Sequence, residues 1–279
     1  MDNQLTFEEL DNKLLNSNGK IIHQIWFTNI TKTKKEANKN FKALTNFRKS
    51  WQEKNPNWTY YCWNAKDCIN LIKRHFPEHL EMYRSYPYPI QQCDCIRYCF
   101  LYRYGGLYAD MDYFCNRPWD EVLQNYPEDL YITETPNKIY NEVHISNSLM
   151  YTKPKHSFWK HILIEMQKYS SVPVYYSKHL TIMYTTGPAI INRIFHKYKN
   201  KYKLNYYPYE LFHPFGITTE LRVNINPKVY SYHLQKGYWN TIDTNMINFF
   251  YKEYKIILFI IITLGSVIFI TKLANSKRF

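Results

Sequence analysis

Glycine is scarce, with 7 residues in 279. None of them builds a Gly-x-x-x-x-Gly-Lys-Ser/Thr loop, a Gly-x-Gly-x-x-Gly turn or a Gly-x-Ser-x-Gly elbow, so ATPase, Rossmann dehydrogenase and hydrolase readings lack their signatures. Cysteine is scarce too. Its six residues, all between Cys62 and Cys115, are too few for a disulfide-built mini-protein. Cys93, Cys95 and Cys99 lack a second ligand pair at zinc spacing and read as small buried hydrophobes or free thiols. The N-terminal twenty residues contain no apolar run of signal-peptide type, so neither a leader nor an N-terminal anchor is expected. Zinc-finger spacing, an RNP signature and a basic-zipper heptad are all missing.

What is present is a chain that is 45% hydrophobic, enough for a substantial core and too apolar for disorder. Thirty-six Lys and Arg stand against 23 Asp and Glu, a net charge of +13. Such a balance suits nucleic acid, an anionic membrane surface or an anionic small molecule. The basic residues cluster over 20–50 and at Lys197, Lys199, Lys201 and Lys203. Without a nucleic-acid motif they read as solvated loops, and no nucleic-acid partner is expected. The 28 Tyr and 16 Phe are weighed as compositional bias.

One long apolar run stands out: Ile256 to Ile270 (IILFIIITLGSVIFI), flanked by Lys252, Lys255 and Lys272. As a helix it would span about 23 Å against a hydrocarbon core of ~30 Å, a gap that snorkelling lysines can narrow. A single membrane helix over 256–271 is therefore expected. The excess of positive charge beyond the run argues for a cytosolic tail, whereas a tail anchor without a leader leaves the large domain cytosolic; topology stays open. The expected organisation is a polar segment 1–19, a catalytic domain 20–242, a linker 243–255, the membrane helix 256–271 and a basic tail 272–279.

Lys20–Phe27 reads as a buried strand, Lys32–Trp51 as a helix, and Trp58–Trp63 as a second strand. Asn64 is placed to cap a helix over Ala65–Phe76. Strands and helices that alternate in this way predict an α/β domain with a largely parallel sheet. Ile90–Tyr104 is a helix without Gly or Pro that ends at Gly105-Gly106, and Asp94 and Arg97 share one of its faces. A strand-like run, Leu107 to Asp112, follows. Strand alternation sets Asp110 and Asp112 on one side, ~7 Å apart at Cα, as hard oxygen ligands for Mg²⁺ or Mn²⁺ at a strand end. His23, Tyr60, Tyr61 and Trp63 read as core residues.

Asp94, Arg97 and the block Gly105-Gly106-Leu107-Tyr108-Ala109-Asp110-Met111-Asp112 resemble the Asp-x-Asp signature of sugar-nucleotide glycosyltransferases of family 32. Lys20-Ile21-Ile22-His23-Gln24-Ile25-Trp26 is similar to that family's first strand. Trp51, Asn55-Pro56 and Tyr60-Tyr61-Cys62-Trp63 are similar to its second stretch. Tyr86-Pro87-Tyr88-Pro89-Ile90-Gln91, Ser146-Asn147, Thr186-Gly187-Pro188 and His233 with Gly237 and Trp239 resemble the subgroup that mannosylates inositol phosphoceramide. The resemblance runs over about residues 20–272 in family order.

The resemblance implies a GT-A-type nucleotide-sugar-binding domain, a Rossmann-like mixed sheet, beside the C-terminal membrane helix. It implies retaining transfer of a hexose, with GDP-mannose favoured over a UDP-hexose, to a glycolipid or glycan acceptor in an endomembrane. Asp110, Asp112 and His233 would hold Mn²⁺ or Mg²⁺, and Asp94 and Arg97 would contact sugar or phosphate. Trp26 would stack on the base, Gly187 would admit the ligand to the backbone, Trp239 would close over the donor, and Asn147 would face the sugar or acceptor. Three departures qualify this: Ser148 replaces an acidic residue, Tyr238 replaces a small one, and the subgroup's N-terminal membrane segment has no counterpart. Two other readings remain: a hexosyltransferase acting on protein-linked or other glycans from a UDP-sugar, and an inactive nucleotide-sugar-binding scaffold. Protein partners are not indicated.

Overall fold

A computed structural model of the chain describes residues 5–31, 33–136, 143–170, 173, 175–214, 226–237, 242–247, 249–250, 253 and 262–264. Two compact units are present, one of residues 1–176 with 180–239 and another of 177–179 with 240–279. In the smaller unit, residues 242–247 are helical. There the backbone N–H of His179 donates to Asp243 Oδ2 at 2.8 Å.

Among the described residues the larger unit holds eight strands: β1 (Ile21–Ile25), β2 (Thr59–Trp63), β3 (Gly106–Ala109), β4 (Tyr113–Cys115), β5 (Leu130–Glu134), β6 (Ile145–Thr152), β7 (Asn205–Tyr207) and β8 (Ser231–His233). Six of them form a sheet in the order β2-β1-β3-β6-β5-β7, while β4 and β8 pair separately. The expected largely parallel sheet is mixed instead. β2, β1 and β3 run parallel, as do β5 and β7, but β6 is antiparallel to both β3 and β5. The arrangement is mixed α/β, as expected for a Rossmann-like mixed sheet.

The helices are α1 (Phe7–Asn16), α2 (Lys34–Ala43), α3 (Thr45–Lys54), α4 (Ala65–His75), α5 (Leu80–Ser85), α6 (Pro89–Tyr104), α7 (Trp119–Asn125), α8 (Phe158–Lys168), α9 (Lys178–Thr185), α10 (Pro188–Tyr202) and α11 (Tyr209–Phe212). Strand alternation divides the apolar side chains between two faces. Ile21, Ile25, Tyr108, Ile132 and Met150 join one core with α4, α6, α8 and α10. Ile22, Leu107, Ala109, Tyr131, Leu149 and Tyr151 join the other, with Trp51, Trp119 and Phe212. Covered on both faces, β1 is buried at every position, which is why it reads as an unbroken apolar run around His23 and Gln24. His23 is a core residue: Trp63 Nε1–H donates to its Nδ1 at 3.0 Å, and its Nε2 lies 2.9 Å from the Gly105 carbonyl. Burial holds its pKa down at about 3.

Local signals explain the helix ends. Asn64 Oδ1 accepts from the N–H groups of Lys66 and Asp67, as its position predicts. The helix expected over Lys32–Trp51 is broken at Leu44, which turns Ala37, Leu44 and Phe47 toward Trp26 and Met111. The polar segment at the N-terminus contains α1, started by a Thr6–Glu9 capping box. This helix is pinned by Asp11, which accepts from Arg103 Nε at 2.8 Å and Nη2 at 2.6 Å.

The expected membrane helix over 256–271 is not supported. Among the described residues no helix is long and apolar enough to cross a membrane. Of that segment only 262–264 are described, and the tail 272–279 lies outside the described residues. The physical weakness was visible in the run's length, about 23 Å against ~30 Å.

Gly105 and Gly106 do more than end α6. Their φ angles are 67° and 93°, and a Cβ on Gly106 would stand 2.5 Å from the Ile21 carbonyl oxygen, inside the β1–β3 pairing. Gly106→Ala is therefore expected to cost about 2 kcal/mol or more, read as a lower urea midpoint with an unchanged m-value.

Candidate active site

Asp110 and Asp112 do not lie on a strand. β3 stops at Ala109, and the residues after it form a turn closed by the Tyr113 N–H, which donates to the Asp110 carbonyl at 3.0 Å. The turn is held from several sides. Gln24 Nε2 donates to the Asp110 carbonyl at 3.1 Å, and the Asp110 N–H donates to the Ser148 carbonyl at 2.8 Å. Met111, between the two carboxylates, is buried against Trp26 and its neighbours. Leaving the strand, the turn lets the two carboxylates converge at their ligand atoms.

The pairing of β4 with β8 brings the third member, because Tyr113 lies opposite His233. His233 Nε2 sits 3.1 Å from Asp112 Oδ1 and 4.0 Å from Asp110 Oδ2. One ligand atom from each of Asp110, Asp112 and His233 falls within 4.8 Å of the others. Two carboxylates suit Mg²⁺ or Mn²⁺, and an imidazole adds one borderline donor, so the chemistry of the set fits a divalent cation. The loop after β8 wraps Asp112: the Leu234 N–H reaches its carbonyl at 3.0 Å, and the Lys236 N–H reaches Oδ2 at 2.9 Å.

Charge is balanced inside this cluster. Burial works to raise the pKa of Asp112, but His233 and the Lys236 N–H outweigh it and hold the group below the usual carboxylate range. Burial also opposes a charge on His233, yet Asp112 and Asp110 push its pKa up. Asp110 is raised by burial, with Arg97 and His233 opposing.

Behind Asp110 lies the pair predicted on α6. Arg97 Nη2 is 2.9 Å from Asp94 Oδ1 and its Nη1 is 3.5 Å from Asp110 Oδ1. Nη1 also donates to the Asn147 carbonyl at 2.7 Å, and the guanidinium lies 4.5 Å from the centre of the Tyr108 ring. Asp94 accepts from Asn147 Nδ2 at 3.1 Å and from Thr186 Oγ1 at 3.0 Å. Burial raises its pKa to about 6, with Arg97 and Thr186 restraining the rise. Asp94, Arg97 and Asn147 are all buried, so their polar atoms are spent on one another.

The remaining predicted residues are more scattered. Trp26 follows β1 and packs on Phe41, with ring centres 5.7 Å apart. Gly187 starts α10 with its Cα against the Ile182 carbonyl, where a Cβ would come within 3.0 Å. Ser148 Oγ contacts Tyr113 Oη at 3.1 Å and accepts from Ser146 Oγ at 2.8 Å. Trp239 and Tyr238 lie outside the described residues. Sequence reasoning missed Gln24, Tyr108, Tyr113, His213 and Gln235. Tyr108 Oη donates to Asp110 Oδ1, a role that its place two residues before the carboxylate could have suggested.

Residues 41–129 match the family model described as a glycosyltransferase sugar-binding region containing a DXD motif. Asp110 and Asp112 are the Asp-x-Asp pair inside the matched segment. A domain of that description implies a nucleotide-sugar donor and a divalent metal. The chain is 33% identical over 175 residues to inositol phosphoceramide mannosyltransferase 3 of Schizosaccharomyces pombe, covering 63% of this chain and 44% of that protein. It is 32% identical over 180 residues to mannosyl phosphorylinositol ceramide synthase CSH1 of Saccharomyces cerevisiae, covering 64% and 43%. The chain thus spans less than half the length of these two relatives. Among solved structures, the galactosyltransferase LgtC with donor and acceptor sugar analogues matches with a TM-score of 0.44 and 10% identity, over 78% of this chain and 87% of that one.

Removing the charge of Arg97 tests the balance described above. Arg97→Met leaves Asp94 buried without its counter-charge, an expected loss of about 3 kcal/mol or more at pH 8. The Asp94 pKa then rises beyond its already raised value, and a raised carboxylate loses stability as pH climbs toward the folded-state value. The loss should therefore be smaller at pH 5 than at pH 8, as read from urea unfolding at both.

Proposed function

We propose that the chain transfers mannose from GDP-mannose to an inositol phosphoceramide-type glycolipid, with retention of anomeric configuration. The observation that carries this reading is the convergence of Asp110, Asp112 and His233 at the end of β3. Its likeness to inositol phosphoceramide mannosyltransferases supports the choice of donor and acceptor.

Asp110, Asp112 and His233 would hold the divalent cation. When bound, that ion neutralises charge on the departing nucleoside diphosphate. Arg97 acts from behind the carboxylates: its charge favours the ionised form of Asp110, while Asp94 and the Asn147 carbonyl hold the guanidinium and Thr186 holds Asp94. We assign Asp94 and Arg97 this supporting role in place of direct contact with sugar. Trp26, packed beside Met111, borders the nucleotide side of the turn. The Ser146–Ser148–Tyr113 hydroxyl chain stands where the resemblance expects a carboxylate toward the acceptor, so acceptor choice is the part of the reading that rests on similarity alone.

The test is transfer of radiolabelled mannose from GDP-mannose to inositol phosphoceramide by the full chain with Mn²⁺. Asp112→Asn and EDTA are each expected to lower turnover by ~100-fold or more, with the circular dichroism of the variant unchanged. Transfer from a UDP-hexose, or to a glycan alone, would replace the donor or acceptor. Failure of the wild-type chain to turn over any of these donors would favour a binding scaffold.

A further inference from the structure

His213 follows α11, twenty residues before His233 in the chain. β8 and its approach bring the two together: the Tyr230 N–H donates to the Leu211 carbonyl at 2.8 Å, and Ser231 Oγ donates to the Phe212 carbonyl at 2.8 Å. His213 is buried, 4% exposed, and its Nε2 lies 3.1 Å from His233 Nδ1 and 2.6 Å from Gln235 Nε2. An amide nitrogen can only donate, so His213 Nε2 carries the lone pair and no proton. The proton on the His213–His233 contact therefore belongs to His233 Nδ1.

That assignment has a consequence at the other ring nitrogen. With Nδ1–H engaged by His213, Nε2 is the ring nitrogen that faces Asp112 and Asp110, the side on which the three ligand atoms converge, and the one left to bind a cation in place of its proton. The Tyr113 ring, stacked on His233 with centres 4.3 Å apart and an interplanar angle of 10°, keeps the imidazole from rotating away. Gln235 adopts φ 53°, and the next residue, Lys236, donates its N–H to Asp112 Oδ2. One short loop thus serves both His213 and the metal-side carboxylate.

A second observation sets His213 apart from an ordinary core residue. Its own Nδ1 is buried and has no partner among the described residues.

Resting on the reading of Asp110, Asp112 and His233 as the metal-binding trio, we propose that His213 is a positioning residue. It holds His233 in the Nδ1–H tautomer and so presents Nε2 as the third ligand of the divalent cation. Hydrogen bonds of this kind to a ligating histidine are worth ~10–100-fold in metal affinity.

The experiment measures Mn²⁺ binding to the full chain by electron paramagnetic resonance titration, without substrate. His213→Leu should weaken binding by ~10–100-fold with the melting temperature of the metal-free protein not lowered. His213→Gln, whose amide oxygen can accept from His233 Nδ1, should stay close to wild type. Equal affinity in His213→Leu and wild type, or failure of His213→Gln to retain binding, overturns the positioning role while leaving the trio in place. Absence of Mn²⁺ binding by wild type, matched by Asp112→Asn, overturns both. Should His213→Leu not fold, long-range ¹H–¹⁵N correlation of Mg²⁺-loaded wild type decides. A His233 protonated at Nδ1 alone is expected, and a proton on Nε2 refutes the proposal.

Discussion

The buried guanidinium of Arg97 is the constraint around which the site is organised. It is 3% exposed and faces two carboxylates, one on its own helix and one in the β3–β4 turn. A charge in such a place is tolerated only when it is paired and hydrogen-bonded, because desolvation costs several kcal/mol per ion. Arg97 meets that requirement with Asp94, Asp110 and the Asn147 carbonyl, and so ties α6, the turn after β3 and β6 into one unit. Burial raises the Asp110 pKa; the guanidinium is the first influence that opposes this.

A second tie comes from outside the main sheet. The short β4–β8 pair sets Tyr113 against His233 and lays one ring on the other, so an imidazole far along the chain arrives beside two carboxylates. Gln24 from β1 and Ser148 from β6 hold the turn from neighbouring strands. The cluster is therefore supported by strand ends from several parts of the larger unit, the arrangement expected of a preorganised site. The tyrosines gain a role as well. Tyr126, Tyr131, Tyr207 and Tyr230 interleave with Phe212 in ring contacts between 4.3 and 6.3 Å. Part of what composition presented as bias is core packing.

Much of this was legible locally. The first strand, the capped helix after Asn64, the α6 helix with Asp94 and Arg97 on one face, and the carboxylate pair all follow from periodicity, caps and glycine stops. The errors have local causes too. Lys32–Trp51 keeps a helical period across Leu44, so its break is set by packing against Trp26 and Met111, and pattern alone does not show it. The strand assigned through Asp112 stops at Ala109, because hydrogen bonds from Gln24 and Tyr113 to the Asp110 carbonyl, and from the Asp110 N–H to the Ser148 carbonyl, complete a turn that alternation cannot foresee. The apolar run near the C-terminus met the hydropathy pattern of a membrane helix, though not its length.

The sequence by itself determined the chemistry on offer: which carboxylates, which arginine and which histidine are available. Their side-chain types and short spacings are local properties, carried by helix and strand geometry alone. Only the tertiary structure decided that Asp94 and Arg97 are buried and paired, that Asp110 and Asp112 converge in a turn, and that His213 stands behind His233. Those facts depend on contacts between segments 20 to about 120 residues apart, which hydrophobic burial and hydrogen-bond satisfaction select across the whole core.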